Sequence, residues 1–510
     1  MAATSTPQIM MSLDLGTTST RVALYDSDGE TITIVSREHQ QYFPHPGWVE
    51  HDASEIWANI RELAALALAR AQITAHDIAA IGITNQRETV VAWDATTSQP
   101  VHRAIVWQDS RTDATIDHLI QAGHNPAVQQ TTGLHLSAYF SASKMAWILT
   151  NNAEATRLAE KGHLRFGTID SWIIWNLTRG EVHATDITNA SRTALMDIRT
   201  GQWDFELGSV FGMEPKILET ALPDIHPSVY DYGTVAPGLA IAGVPITGVL
   251  GDQQAASFGQ TIFSAGEAKN TYGTGCFLLY NTGSKPVFST SGLLTTVAYQ
   301  LPDADPVYAL EGSIAQAGSV VQWLRDQLGI IRTSAEIETL ATSVADHGGV
   351  YFVPAFSGLF APWWRADASG TIIGLTSYAT AGHIARAALD ATAYQTLDVI
   401  TAVEADTGHK LQRLNVDGGM SVNDQLMQFQ ADILDVAVHR SADVETTARG
   451  AAYAAGLGVG VWESTEDLRS LWRSGGSWTP EIDPEQRRRL IAGWHAAIEH
   501  AIGWPVDERR

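Results

Sequence analysis

Cysteine, basic residues and long apolar runs are all scarce in this sequence, and each scarcity excludes a class of protein. Cys276 is the only cysteine among 510 residues, which excludes an intramolecular disulfide and a Cys-x-x-Cys metal site. Lys and Arg together number 32 against 56 Asp and Glu, giving a formal net charge of −24. Such a chain repels nucleic acid and anionic membrane surfaces as a whole. We therefore expect a cytoplasmic protein with no nucleic-acid partner.

The apolar segments are too short or too interrupted to cross a membrane. The longest, residues 233–251, is broken by Pro237, Pro245 and several glycines, whereas a spanning helix needs ~20 consecutive apolar residues. The first twelve residues, MAATSTPQIMMS, have neither a basic region nor an apolar core, so they do not resemble a signal peptide. The sequence thus predicts no membrane insertion.

What the sequence does contain is enough apolar material, 45% of the residues, for two or more packed domains. Short β-rich runs alternate with amphipathic helical segments, for example a helix over residues 52–72 with Asp52 as its N-cap. This alternation predicts an α/β fold. A strand, a Gly-Thr turn and a second strand occur near the start and again from Gly266. We therefore predict a duplicated fold of two domains, residues 1–258 and 259–510, with a cleft between them.

The stretch SLDLGTTSTRVALYD, residues 12–26, places one acid and a hydroxyl-rich turn between two apolar runs. One interpretation is an ordinary hairpin turn. Another is a phosphate cradle, in which amide and hydroxyl groups face phosphate oxygens and Asp14 holds a hydrated Mg²⁺. A P-loop is excluded because no GxxxxGK[ST] motif occurs, and no complete GxGxxG follows a strand.

Two further glycine turns favour the phosphate interpretation. TYGTG occupies residues 271–275, and VDGGMSVN occupies residues 416–423 and enters a helix. Three such turns on two domains suit a nucleotide held across a cleft, with two turns at the phosphates and one at the base and ribose.

With these motifs the chain resembles the FGGY carbohydrate kinases and, within that family, the branch that phosphorylates glycerol. The resemblance rests on motifs spread from end to end: DLGTTSTR (14–21), NQRET (85–89), IVWQDSRT (105–112), AYFSASK (138–144), GDQQAA (251–256), NTYGTGCFLLYNTG (270–283), GLLTT (292–296), ALEGSIAQAGSVVQWL (309–324) and DGGMSVNDQLMQFQADIL (417–434). It implies two actin-like ATPase domains of the ribonuclease H type that close over MgATP, with the polyol deep in the first domain. It also implies a homodimer or homotetramer.

The resemblance implies ATP-dependent phosphorylation of glycerol to sn-glycerol 3-phosphate, with ADP as the second product, as the entry step of glycerol catabolism. Asp252 matches the general base that takes the proton of the attacking hydroxyl, a role that suits an alcohol because it is a poor nucleophile at neutral pH. Without the family, Asp252 is equally a turn acid after a strand. Six further residues match the glycerol contacts: Arg87, Glu88, Trp107, Tyr139, Gln253 and Phe277.

Adjacent residues of a strand point to opposite faces, so Arg87 and Glu88 can share one ligand only from a turn or a strand end.

For the nucleotide, the matching residues are Thr17, Thr18, Ser19 and Arg21 in the first turn, Thr274 and Gly275 in the second, Gly318 and Gln322 beside the ribose, and Gly419 and Asn423 at the adenine edge.

Two departures from the family pattern carry expectations. Met420 stands where a smaller residue is common, which changes the packing expected beside adenine. Residues 232–248 lack the Gly-Lys-Gly-Gly type of loop through which some relatives bind fructose 1,6-bisphosphate. We therefore expect that this sugar does not inhibit the protein.

Two alternative functions stay open from the sequence. One is an FGGY kinase that acts on a pentulose or a tetritol, and the other is a non-catalytic actin-like ATPase. The first would need a wider pocket than the aromatic walls and the Arg-Glu pair predict. The second would have no use for Asp252 beside that pair.

Overall fold

The computed structural model describes residues 8–365, 367–443 and 445–502, and its elements fall into two halves. The strands of the first half are β1 (Ile9–Leu15), β2 (Ser19–Tyr25), β3 (Thr31–Glu38), β4 (Gln41–Tyr42), β5 (Glu50–His51), β6 (Ile78–Asn85), β7 (Val91–Asp94), β8 (Gln99–Pro100), β9 (Ala104–Ile105), β10 (Leu164–Gly167), β11 (Ala184–Asp186), β12 (Met196–Asp197), β13 (Gln202–Trp203), β14 (Asp224–His226) and β15 (Ile246–Gly251). Its α-helices are α1 (Ala53–Ala71), α2 (Asp113–Gln121), α3 (Asn125–Thr132), α4 (Ser141–Asn151), α5 (Ala153–Glu160), α6 (Ile169–Leu177), α7 (Ile187–Ala190), α8 (Phe205–Val210), α9 (Pro215–Ala221) and α10 (Asp252–Gly259).

The second half is built in the same way. Its strands are β16 (Ala268–Tyr272), β17 (Cys276–Gly283), β18 (Leu294–Tyr299), β19 (Val307–Ile314), β20 (Tyr351–Val353), β21 (Thr371–Ile373), β22 (Arg413–Asp417), β23 (Ala437–Ser441) and β24 (Ser474–Trp478). Its α-helices are α11 (Gly318–Asp326), α12 (Glu336–Ala341), α13 (Ala381–Thr407), α14 (Asp424–Leu434), α15 (Thr446–Gly458), α16 (Thr465–Leu471) and α17 (Pro484–Ala501). Short 3₁₀ helices cover Ala75–Asp77 and Gly419–Val422.

The central sheet of the first half has the strand order β15-β6-β1-β2-β3. Strands β1, β2 and β3 form an antiparallel meander, while β1, β6 and β15 run parallel. The central strands β1, β6 and β15 are mostly apolar and are buried on both faces, with α1 and α6 contributing to the core that covers them. The carboxyl ends of β1, β6 and β15 therefore meet at one edge of this sheet.

The second sheet repeats this topology, with the order β18-β19-β17-β16-β22-β23-β24. Strands β16, β17 and β19 are antiparallel neighbours, whereas β16, β22 and β23 run parallel. Three antiparallel strands followed by two parallel ones are thus common to both sheets. The duplication predicted from the sequence is confirmed by this topology.

The cap predicted for α1 is present, and two predicted elements differ from the sequence prediction at their ends. Asp52 does cap α1, since its Oδ1 accepts hydrogen bonds from the amides of Ser54 (2.8 Å) and Glu55 (3.4 Å). The apolar stretch AIVWQD predicts a strand over residues 104–109, but the strand stops at Ile105, because the chain turns there. The stretch SIAQAGSVVQWLRDQLG predicts a helix from Ser313, but the helix begins at Gly318, because residues 313–314 still pair with β17.

The two halves meet where α10 crosses α15, and glycines make the crossing close. A Cβ on Gly450 of α15 would lie 1.8 Å from the carbonyl oxygen of Ala255, and one on Gly259 of α10 would lie 2.1 Å from that of Thr446. The domain boundary predicted after residue 258 falls one residue before the end of α10 and stays a prediction. Along the described residues, no helix has the length and apolar character needed to cross a membrane.

Candidate active site

Three candidate residues follow parallel strands of the first sheet and meet at its carboxyl edge. Asp14 lies near the end of β1, Arg87 follows β6, and Asp252 follows β15 as the first residue of α10. In open α/β sheets this edge is the usual place for a ligand. The sequence motifs 14–21, 85–89 and 251–256 are therefore brought to one site by the sheet order alone.

Asp252 is held from two sides and still reaches the cleft. Its Oδ1 accepts a hydrogen bond from the Gln253 amide (2.7 Å) and lies 3.2 Å from Arg87 Nε. Its side chain is 29% exposed. Burial raises the pKa of this carboxyl group, and the positive charge of Arg87 opposes that rise. The geometry suits a carboxylate that accepts a proton from a group bound in the cleft.

Arg87 and Glu88 lie in the turn after β6, as the sequence argument required. Glu88 has a positive φ of 61°, so the chain turns sharply here. Arg87 Nε and Glu88 Oε1 are 3.8 Å apart, and both side chains are buried. The two opposite charges can thus face one ligand.

A buried ion network behind this pair was missed by the sequence analysis. Glu311 on β19 of the second half binds Arg87 through two contacts, Nη1 to Oε2 at 2.6 Å and Nη2 to Oε1 at 3.0 Å. Arg192 donates to Glu311 (3.0 Å) and to Glu88 (2.6 Å). Although burial favours the neutral acid, Arg192 and Arg87 outweigh it and lower the pKa of Glu311 to about 2. The only sequence signal was one acid within the apolar strand 309–314.

The aromatic candidates lie on both sides of the cleft. Trp107 donates from Nε1 to Thr17 Oγ1 (3.0 Å), and its ring centroid is 5.5 Å from that of Tyr139. Phe277 is half-buried on β17 and pairs across the sheet with Thr271. The face that carries Phe277 also carries Glu311, since paired residues on neighbouring strands share a face. Trp107 and Tyr139 therefore come from the first half and Phe277 from the second.

Lys144 holds the loop that carries Tyr139, and it too was not predicted. Its buried ammonium donates to the carbonyl oxygens of Ala138 (2.6 Å), Tyr139 (2.6 Å) and Phe140 (3.1 Å). Burial lowers the pKa of Lys144 to about 7. Three hydrogen bonds to consecutive carbonyls fix the position of Tyr139.

The first glycine turn, residues 16–19, places Asp14 next to Arg21. These two residues are cross-strand partners, with 3.4 Å between Arg21 Nη1 and Asp14 Oδ2, and Arg21 also pairs with Glu445 of the second half. Thr18 is exposed at the tip, while Thr17 and Ser19 are partly buried. Burial raises the pKa of Asp14 to about 7, partly offset by Arg21 and reinforced by Glu445 and Asp252. The turn therefore presents hydroxyl groups beside the carboxylate of Asp14, whose negative charge Arg21 only partly neutralises.

These donors fit a hydrated Mg²⁺ better than a fully protein-coordinated metal. Mg²⁺ usually keeps several waters and uses one or two carboxylates together with substrate phosphates. Within the described part of the chain, no group of three or more His, Cys, Asp or Glu side chains could hold a metal. Asp14, with Asp252 near enough to raise its pKa, supplies the small acidic set that such an ion needs.

The nucleotide candidates of the second half converge on a pocket of about 400 Å³. Its lining includes Thr274, Gly318, Gln322, Gly419 and Asn423. Gly275 adjoins it, and a Cβ there would lie 2.3 Å from the carbonyl oxygen of Ile314. Five of the six residues predicted for this side therefore line one cavity.

Two features of this pocket bear on the sequence predictions. Met420 lines it, at the place where the sequence predicted altered packing. The opposite wall, Ser334, Ala335, Ile337 and Glu338, was not predicted. These residues come before and within the short helix α12, which has no sequence motif to mark it.

Comparison with known proteins accounts for this arrangement. The N-terminal domain model of the FGGY family of carbohydrate kinases matches residues 9–259, and the C-terminal domain model matches residues 268–459. The chain is 54% identical to a glycerol kinase of Pseudarthrobacter chlorophenolicus over 504 residues, covering 98% of this chain and 99% of that one. It is 56% identical to a glycerol kinase of Methylorubrum extorquens over 505 residues, with 98% and 99% covered.

Solved structures show the same likeness. The crystal structure of Plasmodium falciparum glycerol kinase with ADP superposes with a TM-score of 0.92 at 40% identity, covering 98% of this chain and 99% of that one. A gluconate kinase from Lactobacillus acidophilus, 20% identical with a TM-score of 0.85 over 96% and 97% of the two chains, shares the fold.

Proposed function

The chain belongs to the FGGY family of carbohydrate kinases and has its two-domain actin-like fold, and on that premise we propose that it transfers the γ-phosphoryl group of ATP to glycerol. The products are sn-glycerol 3-phosphate and ADP. The observation that carries this proposal is the identity of 53–56% to glycerol kinases over nearly the whole chain.

Asp252 is the general base in this proposal. The terminal hydroxyl of glycerol donates a hydrogen bond to Asp252, which accepts the proton as the oxygen attacks the γ-phosphorus. A raised pKa suits this role, because a base with a pKa nearer neutrality accepts the proton more readily. The contact with Arg87 Nε at 3.2 Å fixes the carboxylate.

The other side chains of the site hold the polyol. Arg87, Glu88, Tyr139 and Gln253 bind its hydroxyls, and Trp107 and Phe277 cover its carbon atoms. The ion network of Glu311 and Arg192 keeps Arg87 and Glu88 in place. Positioning of this kind supplies much of the acceleration in phosphoryl transfer.

The nucleotide spans both halves in this proposal. Thr17, Thr18, Ser19 and Arg21 face its phosphates from the first half, and Thr274 and Gly275 face them from the second. The pocket beside Gly318, Gln322, Gly419 and Asn423 takes the ribose and adenine. Asp14 holds Mg²⁺, which when bound neutralises phosphate charge.

The test is ADP release with ATP and Mg²⁺ against glycerol, xylulose, ribulose, erythritol and no acceptor. We expect turnover with glycerol, cut ~10²-fold or more in Asp252→Asn. Asp117→Asn, an exposed acid on α2, is the matched control and should retain activity. A preference for a ketose or a tetritol would identify that acceptor, and not glycerol, as the substrate. ATP hydrolysis without an acceptor, unaffected by Asp252→Asn, would instead indicate a non-kinase ATPase.

A further inference from the structure

Lys269 is a fully buried lysine on β16, on the face that also carries Glu311. Its Nζ donates to Gln253 Oε1 (2.5 Å) and to Thr271 Oγ1 (2.8 Å). Both acceptors are neutral. Across residues 8–365, 367–443 and 445–502, no carboxylate oxygen lies within 4.0 Å of Nζ to form an ion pair. Buried charges are normally paired, so a buried ammonium held only by neutral groups calls for a functional explanation.

Each acceptor lies close in sequence to a residue of the proposed site. Gln253 follows Asp252 in the first half. Thr271 stands three residues before Thr274, which lines the pocket in the second half. If the nucleotide occupies that pocket and the acceptor hydroxyl lies at Asp252, the transferred phosphoryl group passes near Gln253 and Thr271.

Lys269 faces charged groups of both signs, and none of the carboxylates among them is within ion-pair distance of its Nζ. Asp417 on β22, Glu311 on β19 and Asp252 on α10 favour its charged form, and Arg87 opposes it. Burial outweighs these charges and lowers the pKa of Lys269 to about 8. A bound phosphate, with its negative charge, would favour the protonated lysine.

We propose that Lys269 is a catalytic residue whose ammonium contacts the γ-phosphoryl group during its transfer. This inference rests on the proposed function. The hydroxyl oxygen of glycerol forms a bond to the γ-phosphorus as the bond from that phosphorus to the β,γ-bridging oxygen breaks. The electron pair of the broken bond leaves on ADP, and the hydroxyl proton passes to Asp252. Lys269 keeps its proton throughout and stabilises the charge on the transferred group.

Three substitutions separate this role from a structural one. Lys269→Met keeps the length of the side chain and removes the charge. Lys269→Arg keeps the charge but places it in a larger, planar group. Lys269→Ala leaves a cavity that methylamine can enter. Lys285→Met, at an exposed position after β17, is the matched control.

The measurements are kcat, the KM values for glycerol and ATP, the Kd for ADP, and thermal unfolding for each variant. Removal of one preorganised donor from a transition-state site typically costs 10²–10³-fold in kcat. We expect a loss of ~10²-fold or more in kcat for Lys269→Met, with the KM for glycerol and the Kd for ADP little changed. Methylamine should restore part of kcat to Lys269→Ala and have no effect on Lys285→Met.

Two outcomes would overturn the proposal. An increase in the KM for glycerol with kcat retained would mean that Lys269 only orients Gln253. A folded Lys269→Ala variant whose lost kcat is not restored at all by methylamine would also contradict it. Failure of the proposed function itself is distinct, because the wild-type protein would then show no turnover with glycerol.

Discussion

At the scale of single residues, Glu311 joins the two halves of the molecule. It reaches from β19 to Arg87 and Arg192, which lie 224 and 119 positions earlier in the chain. All three side chains are almost completely shielded from solvent. A buried pair of this kind contributes little net stability when complete, but removal of one partner leaves a charge without compensation.

Glu311→Ala should therefore be strongly destabilising. We expect the free energy of unfolding to fall by ~3–5 kcal/mol, because two guanidinium groups lose their shared carboxylate. Glu311→Gln should lower the free energy of unfolding by less, since the amide oxygen can still accept one hydrogen bond. Denaturant unfolding monitored by circular dichroism measures both changes.

The control for this comparison is Glu154→Gln, which removes an exposed ion pair with Arg157. Exposed pairs of this type contribute little to stability, so its unfolding midpoint should match the wild type. Equal stabilities for Glu311→Ala and the control would show that the buried network does not hold the halves together.

At the scale of elements, the crossing of α10 and α15 depends on the absence of side chains. Each helix follows the last parallel strand of its own five-strand repeat, so the two are equivalents in the duplicated fold. Gly450 and Gly259 let the two backbones come within a distance that a Cβ would prevent. These two glycines thus allow the close approach of the halves at this crossing.

Gly450→Ala should destabilise the protein, contrary to the usual effect of alanine in a helix. Replacing glycine by alanine in a helix interior normally raises the free energy of unfolding by ~1 kcal/mol. Here the new Cβ would lie 1.8 Å from the carbonyl oxygen of Ala255, a backbone atom that cannot rotate away. We expect a net loss of ~1–3 kcal/mol, measured by thermal unfolding.

Val459→Ala, at the exposed end of α15, serves as the control for that substitution and should leave the melting temperature nearly unchanged. A more stable Gly450→Ala variant would mean that the helices can separate without cost.

At the scale of the whole molecule, buried carboxyl groups link stability to pH. Burial raises the pKa values of Asp186 and Asp390 to about 7. Arg386, which donates to Asp390 Oδ1 (2.9 Å), offsets part of the effect at Asp390. A pKa raised in the folded state means that the folded protein binds the proton more tightly than the unfolded chain.

The stability supplied by such a group is complete below its unfolded pKa of 3.8 and is lost as the pH rises through about 7. We therefore expect the Asp390 contribution to fall between about pH 4 and pH 7. The substitution Asp390→Asn should flatten the dependence of the unfolding free energy on pH in that range. Denaturant titrations at several pH values measure the slope.

Asp483→Asn provides the comparison, because this exposed N-cap acid has a lowered pKa. It should leave the slope between about pH 4 and pH 7 unchanged. If Asp390→Asn behaves in the same way as this control, Asp390 is already ionised in the folded protein throughout the range.

The sequence by itself determined the features that depend on local chemistry. Apolar runs ending in Asp14 and before Asp252 predicted strand ends, and glycine with hydroxyl residues predicted the turns at 16–19 and 273–275. These predictions hold because strand burial and turn geometry are set by neighbouring residues. The repeated pattern was also sufficient to predict the duplication of the fold.

Only the tertiary structure decided which distant groups meet. The pairing of Arg87 with Glu311, the contact of Lys269 with Gln253, and the pocket wall at residues 334–338 all join segments from different elements. Nothing in the local sequence distinguishes these residues from ordinary strand or helix positions. Their roles follow from the packing of one half against the other, which brings buried charges of opposite sign together because neither could be buried alone.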